Sequence, residues 1–306
     1  MRLPMERREP ERSLPGVSSA HPGVADPAAL AAYRAVAPAL RALWPAALTG
    51  AEQLPASGAF LAVANHSGLG VVESLVLVDT WLEAVGPGVP LAAMAHSSLL
   101  RAPLAGALLR AVGAVEATRE GAELAVRSGA SLLLFPGGDH EAMRPLWRAR
   151  EVDFAGRRGF IRLARALGLP IVPIAITGSH VTLPTLGASK SLAWVTGLRS
   201  VGMKRLPLPI SSLLGAAVAL RVTRRAPLSA RLGAAAAAYA AGIFLPLIPS
   251  KIGFHVLSPI VDLTRPEAEI YERVTGAIRS VVEGSPSSRM RVSSSGPGSC
   301  CRTFMP

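Results

Sequence analysis

The chain has 306 residues, half of them hydrophobic, and a formal net charge of +12 at pH 7. This length suits one large α/β domain or two small ones with a sizeable core. The two cysteines, Cys300 and Cys301, are adjacent, which excludes a disulfide framework and a cysteine metal site and favours a reducing compartment.

The excess positive charge lies in one part of the chain. Residues 154–261 contain no Asp or Glu but thirteen Lys and Arg, and the same stretch is rich in apolar residues. Basic and apolar character together predict contact with an anionic membrane surface. Nucleic acid is the competing partner for a basic chain, but aromatic residues make up only 5% of the sequence and no helix-turn-helix or zinc pattern occurs. We therefore predict no nucleic-acid partner.

Helices and strands alternate along the chain. The first 25 residues are charged and proline-rich without the apolar region of a signal peptide, so a disordered tail is predicted there. Asp26 and Pro27 are typical of an N-cap and a first helical turn, and they predict a helix to residue 48 that Pro38 kinks or divides. The predicted strands are 59–64, 91–95, 131–135, 170–176 and 254–260, and the further predicted helices are 71–85, 103–115 (buried), 119–129, 157–168 and 266–284.

This alternation predicts an α/β fold, with a mixed, mostly parallel sheet flanked by helices, in one domain over residues 26–283. The remaining residues, 284–306, are rich in Ser, Pro, Gly and Arg and predict a second disordered tail.

Residues 206–249 interrupt the alternation. Residues 210–220 and 233–249 carry no charge, and a group of arginines lies between them: Arg221, Arg224, Arg225 and Arg231. Spanning a bilayer takes about 20 apolar residues, and the alanine-rich second stretch is shorter and weakly hydrophobic. We predict a membrane-associating helical hairpin that lies in the membrane plane or re-enters it. A hairpin buried in the globular domain is the alternative.

Residues 64–73, ANHSGLGVVE, place polar residues between two apolar runs. His66 would emerge at the end of a buried strand, in a loop that Gly68 and Gly70 loosen. An imidazole there, with the carboxylate of Glu73 behind it, is a candidate general base with an orienting partner. Seven residues of continuous helix would separate the two side chains by roughly 10 Å, so the pairing requires the helix to begin only near Val71. A loop histidine without a chemical role is the alternative.

Two further segments place polar residues after predicted strands, where α/β sheets gather their functional loops. The first is LFPGGDHEAMRP at 134–145, and the second ends at Gly178, Ser179 and His180. The acids and histidines of these segments, Asp139, His140, Glu141 and His180, could be read as metal ligands. Adjacent residues seldom face one ion, and no His-x-x-x-His or Cys pair supports them, so no metal is predicted.

Together these segments resemble the glycerolipid acyltransferase superfamily, over roughly residues 50–262. The first motif of that family, Asn-His followed by four variable residues and then Asp, is similar to Asn65-His66, although Val71 stands at the Asp position here and the acid comes later, as Glu73. The third motif, usually Phe-Pro-Glu-Gly-Thr-Arg, here reads FPGGDHE at 135–141, nearer the Pro-Gly-Gly-x-x-Glu of neutral-lipid acyltransferases. The fourth matches VPI at 172–174, and the second matches only loosely, around residues 113–119.

The resemblance implies an acyltransferase of lipid metabolism and phospholipid biosynthesis that moves a fatty acyl chain from an acyl-CoA or acyl-carrier-protein thioester to a hydroxyl of a glycerolipid or other lipid alcohol. It needs no cofactor beyond that co-substrate. His66 would be the general base and Glu73 its partner. The implied substrate-binding residues are Asn65, Ser67, Gly68, Arg119, Phe135, Pro136, Gly137, Gly138, Glu141, Arg144 and Arg157.

The departure in the third motif bears on the acceptor. In the family, the missing glutamate and Thr-Arg hold glycerol phosphate, so a lysophospholipid or diacylglycerol fits this sequence better. The basic, apolar insert implies a protein associated with the cytoplasmic face of a membrane, peripherally or monotopically. A non-catalytic membrane lipid-binding module is the alternative function, since the basic apolar half would suit it equally well.

Overall fold

The structure is a computed structural model that describes residues 22–101, 103–196, 204–245 and 248–284; the two predicted tails lie almost wholly outside them. The strands are β1 (Ala46–Thr49), β2 (Leu61–Ala64), β3 (Leu91–Ala95), β4 (Val115–Glu116), β5 (Ser131–Leu134), β6 (Ile171–Thr177), β7 (Thr185–Ser189), β8 (Leu206–Pro209) and β9 (Ile252–Val256). The helices are α1 (Pro27–Leu43), α2 (Val71–Ala84), α3 (Ser97–Arg101), α4 (Pro103–Ala111), α5 (Arg119–Arg127), α6 (Gly138–Ala142), α7 (Gly159–Leu167), α8 (Lys190–Val195), α9 (Ile210–Val222), α10 (Leu228–Phe244) and α11 (Glu267–Gly284).

Seven strands form one sheet in the order β1-β9-β6-β2-β5-β3-β4. The five strands from β6 to β4 run parallel, β9 pairs antiparallel with β6, and β1 runs parallel to β9. The predicted α/β class with a mixed, mostly parallel sheet is confirmed. Strand β2 lies between β5 and β6, so the ends of the three strands that precede the polar segments are neighbours.

The core divides into two apolar layers, one on each face of the sheet. Alternate residues of β2 point to opposite faces, so Leu61 and Val63 pack in one layer and Ala62 and Ala64 in the other. The first layer includes residues of α5, α7 and α11, and the second includes residues of α2. Because β2 is buried on both faces, its sequence is a continuous apolar run rather than an alternating one.

Two predicted helices are shorter in the structure. The helix capped by Asp26, whose carboxylate accepts hydrogen bonds from the next turn, ends at Leu43, and the stretch predicted to continue it is β1. Pro38 lies inside α1 without dividing it. The predicted buried helix over 103–115 is also wrong in part: α4 ends at Ala111, its Leu108 is exposed, and Val115 begins β4.

The predicted helical hairpin is present as α9 and α10, which pack on each other. Both helices are exposed along most of their length, so the alternative of a hairpin buried in the domain is wrong. The hairpin follows an antiparallel ribbon of β7 and β8 that the sequence did not predict. In the described part of the chain, no helix combines the length and the apolar character needed to cross a membrane.

Candidate active site

The site lies where β2, β5 and β6 end at the same edge of the sheet. His66 follows β2, Phe135 and Pro136 follow β5, and Gly178 follows β6. These strands are parallel neighbours, so segments separated by more than 100 residues converge there. The sheet thus brings together the three segments that the sequence singled out.

A left-handed turn sets the position of Glu73. Gly68, Leu69 and Gly70 have φ angles of 55°, 58° and 72°, a conformation that glycine adopts readily and leucine rarely. The amide of Gly70 donates to the carbonyl of Ser67 and closes the turn. Helix α2 therefore begins at Val71, as predicted, and Glu73 lies in its first turn facing back toward His66.

His66 Nδ1 contacts Glu73 Oε1 directly. Glu73 is 1% exposed, and the same carboxylate oxygen also accepts the amide of Ser67 at 3.3 Å. The ring of Phe135 stacks on the imidazole with 4.4 Å between the ring centroids. With Nδ1 held by the carboxylate, Nε2 is the ring nitrogen left to exchange a proton with a substrate.

Asn65 and Ser67 fix the loop that carries His66. The buried Asn65 side chain donates to the carbonyl of Ile176 at 2.9 Å and accepts the amide of Ile176 at 2.7 Å, which ties β2 to β6. Ser67 Oγ lies 2.6 Å from Ser179 Oγ. The polar atoms of both side chains are therefore used within the protein, and their predicted binding of substrate stays a prediction.

Glu141 occupies the interior of the site. It is fully buried, and its Oε2 accepts the amide of His66 at 3.2 Å. Its Oε1 accepts the amide of Asp153 at 3.1 Å and Arg144 Nη1 at 3.2 Å. Burial raises the pKa of Glu141 to about 7, while Arg144 and the two amides oppose the rise. Glu141 thus fixes the backbone of His66, and the nearly buried Arg144 holds Glu141 in place.

The two residues before Glu141 in the sequence contact side chains other than those that Glu141 contacts. Asp139 pairs with Arg157 at 2.9 Å, and His140 Nε2 lies 2.9 Å from Asp153 Oδ2. Arg157 also donates to the carbonyls of Pro136 and Gly137, so it braces the glycine loop. The side chains of Asp139, His140 and Glu141 therefore diverge.

Glycines allow this loop its close contacts. A Cβ on Gly137 would lie 2.3 Å from the side chain of Glu141, and one on Gly138 would lie 2.9 Å from Arg157 Nη1. Glycine at these positions lets Glu141 and Arg157 approach the backbone. The predicted contact of Gly137 and Gly138 with a substrate stays a prediction.

A cavity of about 490 Å³ opens beside the site between β5, α5 and α7. Its apolar lining includes Phe135, Phe160 and Leu163, and its cationic lining comes from Arg119, Arg157 and Arg162. Phe135 belongs both to this lining and to the stack on His66. Of the predicted substrate-binding residues, Arg119, Phe135, Pro136 and Arg157 line the cavity.

Sequence reasoning assigned no role in the site to several residues that build it. Ser179 binds Ser67, and its carbonyl oxygen would lie 2.8 Å from a Cβ on Gly68, so the two loops touch. Burial, with Arg144 and Arg150 nearby, lowers the pKa of His180 in the same loop. The only signal for this loop was its place after a strand. Nothing in the sequence indicated that Asp153 meets Glu141 or that Arg162 lines the cavity.

A family model described as acyltransferase matches residues 46–177. Proteins of Mycobacterium tuberculosis and Mycobacterium bovis, both named as uncharacterized, are 30% identical over 151 residues, 49% of this chain and 42% of each relative. The chain thus spans less than half the length of these curated relatives. Among solved structures, the 1-acyl-sn-glycerophosphate (LPA) acyltransferase PlsC of Thermotoga maritima is 15% identical with a TM-score of 0.46, covering 86% of this chain and 84% of that one.

The matched range begins at β1 and ends at the last residue of β6. It contains His66, Glu73, the FPGGDHE segment and the VPI segment, that is, the motifs that carry the resemblance. Residues 46–177 therefore match the acyltransferase family model, in agreement with the resemblance to the glycerolipid acyltransferase superfamily that these motifs predicted.

Proposed function

We propose that the protein transfers a fatty acyl chain from an acyl-CoA or acyl-carrier-protein thioester to a hydroxyl of a glycerolipid or other lipid alcohol. One observation carries the proposal: a histidine at the end of a central strand contacts a buried carboxylate through Nδ1. This pair suits base catalysis, because the carboxylate fixes the imidazole tautomer and stabilises the imidazolium that forms.

In the proposed reaction, His66 Nε2 takes the proton of the acceptor hydroxyl as the oxygen attacks the thioester carbonyl. The carbon–sulfur bond then breaks, and the leaving sulfur receives the proton from His66. The products are an ester and a free thiol, and no bond forms between the substrate and the protein. The carboxylate of Glu73 faces the imidazolium during the step.

The cavity beside Phe135 supports an amphiphilic substrate. Its apolar side chains suit part of an acyl chain, and its arginines suit the phosphates of coenzyme A or of a phospholipid. Arg144 is less suited to that task than its sequence position implied, because its side chain is 6% exposed and paired with Glu141.

The test is thiol release from long-chain acyl-CoA and acyl-carrier-protein donors by the full chain. Glycerol 3-phosphate, a lysophospholipid and diacylglycerol are offered separately as acceptors. We expect release with a lysophospholipid or diacylglycerol that exceeds release with glycerol 3-phosphate or without acceptor, together with an acylated product by mass spectrometry. A protein that binds these lipids but releases no thiol with any donor would instead be a lipid-binding module.

Gly70→Ala is expected to lower thiol release about 100-fold, because a Cβ there would lie 1.9 Å from the imidazole of His66. Gly86→Ala is the matched control: its φ of 91° is also left-handed, but a Cβ would meet no atom within 4 Å. Both substitutions place an alanine in a left-handed backbone conformation, which costs about 1–2 kcal/mol, and only Gly70→Ala adds a clash with His66. Equal loss of activity in both would mean that displacement of His66 is not the cause.

A further inference from the structure

In the described residues, the hairpin of α9 and α10 contacts the rest of the domain at its base, next to β8. Ser211 Oγ donates to the carbonyl of Gly242 at 2.7 Å, and the hydroxyl of Tyr239 donates to the carbonyl of Pro207. A Cβ on Gly242 would lie 2.6 Å from the amide of Ser212, so the two helix backbones touch there. Beyond the base, most residues of both helices are exposed. The two helices are thus joined to each other and to β8 at the base, and most of their remaining surface is free.

That surface is apolar in a regular pattern. Leu214, Val218 and Val222 follow one another at four-residue spacing along α9 and are 57%, 60% and 75% exposed. Leu228 and Leu232, at the start of α10, are exposed to a similar degree. Side chains four residues apart lie on one face of a helix, so α9 presents a continuous apolar stripe. An exposed apolar stripe of this kind marks a surface that binds a partner.

The turn between the helices is cationic. Arg221, Arg224 and Arg225 are all exposed, and no Asp or Glu occurs between residues 154 and 261 to neutralise them. An anionic partner is therefore favoured. On α8, which contacts the β8 strand that leads into the hairpin, Trp194 is also 70% exposed. Tryptophan is enriched where protein meets the boundary between lipid and water.

We propose that the α9–α10 hairpin docks on the surface of an anionic lipid bilayer, with Leu214, Val218 and Val222 entering the headgroup region and Arg221, Arg224 and Arg225 contacting lipid phosphates. Only a partner that is anionic and apolar satisfies both sets of side chains. A second copy of the chain is disfavoured, because its hairpin would bring three more arginines and no acid to pair with them. A nucleic acid would leave the apolar stripe in water.

The experiment is flotation of the full chain with vesicles of phosphatidylcholine alone and of phosphatidylcholine mixed with phosphatidylglycerol. No acyl donor or acceptor is present, so the result is independent of the proposed catalysis. We expect much stronger binding to the anionic vesicles, weakened by salt.

The variant Arg221→Gln/Arg224→Gln/Arg225→Gln should bind the anionic vesicles about 100-fold more weakly than the wild type does, since each arginine near the surface contributes about fivefold. Arg34→Gln/Arg127→Gln/Arg273→Gln removes the same charge from exposed positions elsewhere and should bind as the wild type does.

A second variant tests the apolar stripe. Leu214→Gln/Val218→Gln/Val222→Gln should lose the part of the binding that resists salt, about tenfold for each side chain, with an unchanged circular dichroism spectrum. Equal binding by the two arginine variants would overturn the proposal. If the protein bound no vesicles but bound duplex DNA through Arg221, Arg224 and Arg225, the proposal would also be wrong. The same holds if it bound no vesicles but sedimented as a dimer that the glutamine variant of the stripe dissociates.

Discussion

His66→Ala is expected to lower thiol release about 10²–10⁴-fold, the contribution of a well-placed general base. The imidazole is the group that removes the acceptor proton in the proposed reaction, and no other histidine contacts a buried carboxylate in the described part of the chain. The measurement is the acceptor-dependent rate at saturating donor, with thermal unfolding to verify the fold. His96→Ala, at an exposed histidine, is the control and should keep full activity.

Glu73→Gln separates the two members of the pair. It retains the size of the side chain but removes the charge that stabilises the imidazolium, so the rate should fall by about 10²-fold or more while donor binding is kept. If Glu73→Gln turned over as fast as the wild type with its fold intact, Glu73 would not be the partner of the base. If His66→Ala also kept its activity, the proposed base itself would be wrong.

Glu141→Ala is expected to lower the free energy of unfolding by about 3–5 kcal/mol, because it leaves the nearly buried guanidinium of Arg144 and the amides of His66 and Asp153 without their acceptor. Glu151→Ala is the matched control. Glu151 forms a salt bridge with Arg148 at the same three-residue spacing, but the side chains of Glu151 and Arg148 are both nearly half exposed. Removing that surface pair should cost at most about 1 kcal/mol. Chemical denaturation of both variants measures the difference.

The pH dependence of stability tests the raised pKa of Glu141. Burial raises the pKa of Glu141 from 4.5 to about 7 in the folded protein, so the folded state holds this proton more tightly than the unfolded state does. The contribution of the protonated side chain is complete below pH 4.5 and is lost as the pH rises toward 7. Relative to Glu141→Gln, the wild type should therefore lose stability over that interval. A constant difference between the two would show that the pKa of Glu141 is not raised.

The sequence predicted the central strands of the sheet because their pattern is local. The stretch 91–95 is β3 residue for residue, and β2 and β5 are short apolar runs bounded by turn residues, whereas β1 and the two-residue β4 begin in stretches predicted as helix. The pairing of His66 with Glu73 was also predictable, since both lie in one ten-residue segment whose glycines delay the start of α2. The β7–β8 ribbon was missed because Gly187 interrupts the pattern of β7 and prolines interrupt that of β8.

The hydrogen-bond partners of Asn65 and Glu141 could not be predicted from the sequence, for a different reason. Asn65 binds Ile176, 111 residues away, and Glu141 binds the amide of His66, 75 residues away. Such partners are fixed only when the strands have paired, and nothing in either local segment indicates them. Both residues were predicted to bind substrate because they stand in motifs, and that stays a prediction; in the structure their side chains hold the backbone that presents His66.

The stacking of Phe135 on His66 has a consequence for the turnover cycle. A ring covered on one face and anchored through Nδ1 cannot rotate by half a turn about its Cβ–Cγ bond without breaking both contacts. In the proposed reaction, the same nitrogen would therefore face each incoming alcohol and each departing thiol. The proton taken from the alcohol would be given to the leaving sulfur at that single atom, so the proposed cycle would need no reorientation of the ring between successive acyl transfers.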